Sequence, residues 1–233
     1  MEEKKTKYSF KAILEKYVSE ILVIFLGISM SFLFDEWRQN RSDEETAKKH
    51  LAFLRTNLVQ DTLLLTRMID LGHKMVRSSH KLAYFQQDSD ITDSLSLHID
   101  NAASYLTFKP NQMAYEEIKQ TAHTNLIKND SLKTLFLSYY TSVIPSCTEW
   151  CKVDETHTMT QLIPEMSLYF PVVIDSLHLV SASEKAKALR QKKVRNLLLT
   201  NAAYKDATIY TFAITKKYTK KLLQKVDQEL NKP

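Results

Sequence analysis

The side chains most able to do chemistry here are two thiols, seven imidazoles and a run of lysines. Cys147 and Cys151 are the only cysteines, spaced as CTEWC. On a continuous helix a step of four puts both thiols on one face, one turn apart, in a geometry unsuited to a disulfide. Pro145 would permit a disulfide if it unwound the segment, and an oxidising compartment would favour one. A metal reading would add Asp154, Glu155 or His157, but the spacing matches no zinc signature. Ordinary partly buried thiols are the simplest reading, and no metal or other cofactor is expected. His73 and His80 lie seven apart, two helical turns, which is too far for joint ligation of one ion. His50, His98, His123, His157 and His178 are scattered. There is no HExxH, no GxSxG and no ordered Cys/His arrangement. No catalytic residue is assigned, and the chain reads as a non-enzymatic protein.

Lys216, Lys217, Lys220 and Lys221, followed by Lys225, form the strongest charged patch. They suit an anionic lipid surface or nucleic acid. The plainer reading is a solvated helix face whose lysines favour the negative end of the helix dipole. A periplasmic position would exclude nucleic acid, and none is expected as a partner. Tyr105, Phe108, Tyr115, Phe136, Tyr139, Tyr140, Tyr169 and Phe170 crowd the middle of the chain. They read as core, with a ligand pocket between helices as the sharper alternative.

The elements that must position these groups are helices. Two glycines in 233 residues are too few for the turns, bulges and phosphate-cradling loops of sheet-rich or nucleotide-binding folds. Neither GxGxxG nor a Walker-type loop can be built from Gly27 and Gly72. The fold class expected is all-α: an N-terminal transmembrane helix continuing into an antiparallel bundle with two long arms and short middle helices. A tail (1–17), a spanning helix (18–37) and a bundle domain (42–233) follow. The first arm opens at a capping-box pattern, Ser42-Asp43-Glu44-Glu45, and keeps an apolar face through Leu51, Leu54, Leu58 and Leu65 to about Gln86. The membrane helix can run straight into it, since residues 35–40 hold no breaker. The second arm opens at Ser181 and Glu184 and continues to the C-terminus. Pro110, Pro145, Pro164 and Pro171 divide the middle into shorter helices near 93–105, 112–123, 131–144, 149–163 and 172–179, with Asn111 and Asn129 as caps.

Residues 21–34, ILVIFLGISMSFLF, are an unbroken apolar run. At 1.5 Å per residue it covers about 21 Å of a hydrocarbon core about 30 Å thick. Tyr17 and Trp37 extend the reach to about 30 Å and mark the two interfaces as aromatic anchors. The alternative is a buried core helix of a soluble protein. An uncleaved signal-anchor fits better than a cleaved peptide, because the run ends without a small-x-small site. The expected setting is a bacterial inner membrane, single-pass, with the C-terminal domain in the periplasm. Glu20, Ile24, Gly27, Ser31, Asp35 and Arg38 line one stripe of this helix. Gly27 and Ser31 form a small-xxx-small pair that lets another helix approach, although small residues are also common in spanning helices. The partners expected are membrane lipid and a second copy or another membrane protein.

The stretch at 16–41, KYVSEILVIFLGISMSFLFDEWRQNR, resembles the opening of an uncharacterised family of small Bacteroidetes single-span membrane proteins. Tyr17, Glu20, Gly27, Asp35 and Trp37 carry that likeness. A second block at 108–140 is similar through Pro110-Asn111, Tyr115 and Tyr139-Tyr140, and departs from the family at Thr121-Ala122-His123, where a glycine is usual. The resemblance implies a single-span bacterial membrane protein and no activity, cofactor or catalytic residue. The functional expectation is a membrane-anchored scaffold or assembly protein, with an extracytoplasmic ligand-binding or sensory module as the alternative.

Overall fold

The computed structural model describes residues 10–85, 94–121, 123–169, 172 and 180–232, and their side chains from Tyr17 on, Ser19 excepted. Residues 173–179 of the helix expected at 172–179, Phe170, His178 and the first nine residues of the tail lie outside the described residues. The chain separates into two units, 1–49 and 50–233. Among the described residues every regular element is helical.

The first helix, α1 (Phe10–Ala83), contributes to both units. The capping-box pattern at Ser42 starts no helix, because α1 passes through it unbroken. Nothing in 35–45 forces an end: there is no Gly or Pro, and side-chain pairs one turn apart support the coil. Asp35 and Arg38 approach to 3.3 Å, Gln39 donates to Asp43 at 2.8 Å, and Arg41 and Glu45 lie 3.6 Å apart. Every large apolar side chain described between Tyr17 and Trp37 is exposed. No helix among the described residues is long and apolar enough to cross a membrane. The uncharged run stops at Phe34, and residues 20–37 include the acids Glu20, Asp35 and Glu36.

In the second unit the remainder of α1 is followed by α2 (Leu95–Ala103), α3 (Met113–Gln120), α4 (Asp130–Ser138), α5 (Ile144–His157), α6 (Ile163–Ser167), α7 (Ala182–Leu189) and α8 (Lys192–Leu230). α1 and α8 are the two arms, and they run antiparallel. Arg55 pairs with Asp227 at 2.6 Å, Gly72 faces Ile209, and Ser79 accepts from Asn201 at 3.2 Å. Positions climb on one arm as they fall on the other. The arms approach closely at Gly72: a Cβ there would stand 2.6 Å from Ile209 Cγ1.

Side-chain caps mark two of the helix starts. Asn129 accepts from Leu132 N–H at 3.1 Å and caps α4. Ser181 and Glu184 form a reciprocal capping box at α7. Asn111, expected as the cap of α3, accepts from Met113 N–H at 3.2 Å but stands one residue before the cap position, Gln112, whose side chain makes no capping bond. Two expectations fail. The second arm is interrupted at Arg190-Gln191, which separates α7 from α8. Pro145 and Pro164 divide nothing, since residues 130–167 are helical without a gap. Each proline follows a π turn, Tyr139–Val143 and Thr158–Leu162. There Ile144 N–H reaches back to Tyr139 O and Ile163 N–H to Thr158 O. The widened turn relieves the clash between a proline ring and the preceding carbonyls.

The core falls into two clusters. One joins Leu54, Leu58 and Leu65 of α1 to Phe136, Tyr139, Cys147 and Phe212. The other joins Leu82, Ile99, Leu162, Met166, Leu189 and Leu198. Phe108, Phe136, Tyr139 and Tyr140 are buried as expected, and Tyr115 stacks on Tyr140 at 4.4 Å between centroids. Tyr105 is an exception and stays exposed.

Candidate functional site

The second unit carries a polar network at its centre that no local pattern announces. Lys205 of α8 and Asp154 of α5 are both fully buried and pair at 2.7 Å. Lys205 Nζ also donates to Asn201 Oδ1 at 3.1 Å and to Thr158 Oγ1 at 3.4 Å. Asp154 Oδ2 accepts Leu106 N–H at 2.7 Å. Asn201 Nδ2 donates to Ala102 O at 2.9 Å and to Ser79 Oγ at 3.2 Å. Burial pushes the Lys205 ammonium down, and the Asp154 charge opposes that fall. Five parts of the fold are thereby tied together: α1, α2, the segment after it at Leu106, the α5 region and α8. Neither side chain is open to solvent, and the pair clamps α5 to α8.

The metal option around the cysteines does not assemble. Asp154 is committed to Lys205, and His157 Nε2 lies 3.2 Å from Leu197 O. Among the described residues no group of three or more His, Cys, Asp or Glu side chains could hold an ion. Cys147 and Cys151 are free, buried thiols one turn apart on α5, which Pro145 leaves helical. The Cys151 thiol is pushed up by its contact with Cys147 and by burial. The hydrogen bond from Cys151 draws Cys147 down, against burial and with help from Thr215.

Two further groupings also escape sequence reasoning. His50 Nε2 and His123 Nδ1 stand 2.8 Å apart, and Glu117 Oε1 lies 3.4 Å from His50 Nδ1. These contacts join α1, α3 and the turn at His123–Leu126. Asn57 Nδ2, Asp61 Oδ2 and Tyr140 Oη are buried without a partner among the described residues. Burial raises the Asp61 carboxyl to about 6, against the hydrogen bond it accepts from Asn111 N–H. The partners in these groups are far apart in sequence, Lys205 from Asp154 by 51 residues and His123 from His50 by 73. Only the tertiary fold brings them together.

The residues singled out by sequence remain on the surface. Glu20, Ser31 and Asp35 are exposed, and a Cβ on Gly27 would meet nothing within 4 Å. Tyr17 and Trp37 are exposed, with the Arg41 guanidinium 5.8 Å from the Trp37 ring. Lys216, Lys217, Lys220 and Lys221 line one shallow groove of about 500 Å³ with Ala213 and Gln224. His73 and His80 are exposed, and His80 stacks on Tyr84 at 6.2 Å.

No family model, curated protein or solved structure matches this chain.

Proposed function

We propose that this chain is a membrane-anchored helical scaffold or assembly protein without enzymatic activity. The observation that carries the reading is the sleeve of exposed apolar side chains on α1 from Tyr17 to Trp37. Fourteen large apolar residues in that interval, Tyr17 and Trp37 included, face outward with at least 49% of their surface open. Burying one such side chain gains about 1.5–3 kcal/mol, so leaving all of them in water would cost tens of kcal/mol. Lipid is the medium that covers a helix on all sides. Glu20, Asp35 and Glu36 lie toward the two ends of the interval, where they reach headgroups or water. The resemblance to single-span Bacteroidetes membrane proteins points the same way. In this reading the chain sits once in a bacterial inner membrane, N-terminus inside and 42–233 in the periplasm. The stripe at Glu20, Gly27, Ser31 and Asp35 serves self-association or docking to a membrane partner.

Fractionation with protease protection tests the anchor and its sidedness together. The full chain is expected in the membrane pellet, with 42–233 digestible only from the periplasmic side. Recovery in the supernatant without detergent refutes the reading. For the stripe, Gly27→Leu is expected to weaken cross-linked dimers, because it fills the gap through which a second helix approaches. Unchanged cross-linking removes the stripe from the account.

A further inference from the structure

The outward face of α8 carries two adjoining features that anchoring leaves unused. A groove of about 490 Å³ runs between α8 and the α4–α5 segment, lined by Ser138, Ser142, Ser146, Trp150, Tyr210 and Tyr218 among others. No Lys, Arg, His, Asp or Glu lines it. Tyr210 is 68% exposed, with Ile214, Tyr218 and Trp150 also open to solvent. From Ser138 to Trp150 the wall is about 18 Å long, which admits roughly three turns of another helix.

Beside it lies the groove of Lys216, Lys217, Lys220 and Lys221, whose lining holds no carboxylate. Tyr210, Ile214, Lys217 and Lys221 follow steps of four, three and four along α8, so one stripe joins the two grooves. Lysines one turn apart, 216 with 220 and 217 with 221, repel each other and weaken the helix that bears them. None of these four lysines forms an ion pair among the described residues. An acidic edge on a bound helix would remove that repulsion while its apolar stripe covered Tyr210, Ile214 and Trp150. Aromatic anchors with a charged rim are what helix-in-groove recognition uses.

We propose that this face of α8 docks an amphipathic helix of a partner protein, with an apolar stripe in the serine-aromatic groove and acidic residues along the lysine row. The inference rests on the scaffold reading and gives its partner a chemistry. Charge complementarity selects the occupant. A second copy of this chain, of net charge +5, is the poorer match for a lysine rim.

The test uses the full chain in zwitterionic micelles, with Trp37→Phe so that Trp150 is the sole indole. Two synthetic helices share one apolar stripe and differ only in an edge of glutamates or of lysines. The glutamate-edged peptide is expected to change Trp150 fluorescence on binding, and Lys217→Glu/Lys221→Glu to weaken it by about tenfold or more. That same double variant should gain affinity for the lysine-edged peptide, and Tyr210→Ala should weaken both. These residues are exposed, and unchanged thermal melting will certify the fold. Equal binding of both peptides, no response at Trp150, or failure of the charge swap overturns the proposal. So does a dimer dissolved by Tyr210→Ala, which would seat a second copy in the groove. So does binding to phosphatidylglycerol vesicles but not to the peptide, which would assign the lysines to lipid. All variants stay in the membrane pellet if the anchor reading holds, so the two failures are separable.

Discussion

Removing the Lys205 ammonium while leaving its partner is the sharpest perturbation the fold offers. In Lys205→Met the side-chain volume is nearly kept, but Asp154 Oδ1 loses its only charged donor at a position with no exposure. Asp154 Oδ2 still accepts Leu106 N–H, so half of the carboxylate remains satisfied. Breaking one side of a buried pair costs about 3–5 kcal/mol, a large share of the 5–15 kcal/mol that holds an ordinary domain together. Asn201 Oδ1 and Thr158 Oγ1 lose a donor as well, which places the expectation toward the upper half of that range. Asp154→Asn should cost less, because Lys205 can shed its proton while the Asn oxygen keeps Leu106. The double variant Asp154→Asn/Lys205→Met should be more stable than Lys205→Met alone, since no uncompensated charge is left in the core. Urea unfolding of the full chain in micelles, followed by helix circular dichroism with m-values checked for constancy, measures all three. A loss below about 1 kcal/mol for Lys205→Met, the worth of an exposed pair, would refute the claim that this pair is desolvated.

Asp61 supplies a pH prediction. Its carboxyl is raised to about 6 in the folded state from an ordinary 3.8, so between those values the folded chain holds a proton that the unfolded chain has released. Stability from this group is therefore fully present below about pH 4 and is lost as pH rises through about 6, by about 2 kcal/mol after solvent screening. Asp61→Asn should flatten that part of the stability profile, and an unchanged slope would count against it. Gly72→Val should destabilise by about 1–3 kcal/mol in the same unfolding assay, because its Cβ meets Ile209 at 2.6 Å and its branches add to the overlap. Ser181→Ala should cost about 1 kcal/mol by opening the α7 capping box.

What was legible in the sequence was whatever local chemistry controls. Two glycines and a three-four apolar rhythm specify helices, and Asn129 and Ser181 mark helix starts, because caps act within one turn. Leu54, Leu58 and Leu65 announce the buried face of α1 for the same reason. The apolar run from Ile21 to Phe34 is equally local, but its composition left a buried core helix open, and only the structure shows these side chains exposed on α1. Local rules misled where they met a competing local effect. Ser42 looks like a cap, yet helix-forming neighbours on both sides carry α1 through it. Pro145 and Pro164 look like breaks, yet a π turn before each absorbs the ring.

Tertiary structure alone decided the rest. Lys205 finds Asp154 and Tyr210 comes to share a groove with Trp150 only because α8 packs along α5, and His50 finds His123 only because the turn after α3 packs against α1. A helix face specifies which residues point inward, but not which residue of another helix will stand opposite. That register is set by the sum of many small packing terms, among them the close approach at Gly72, and no single window of the chain contains them.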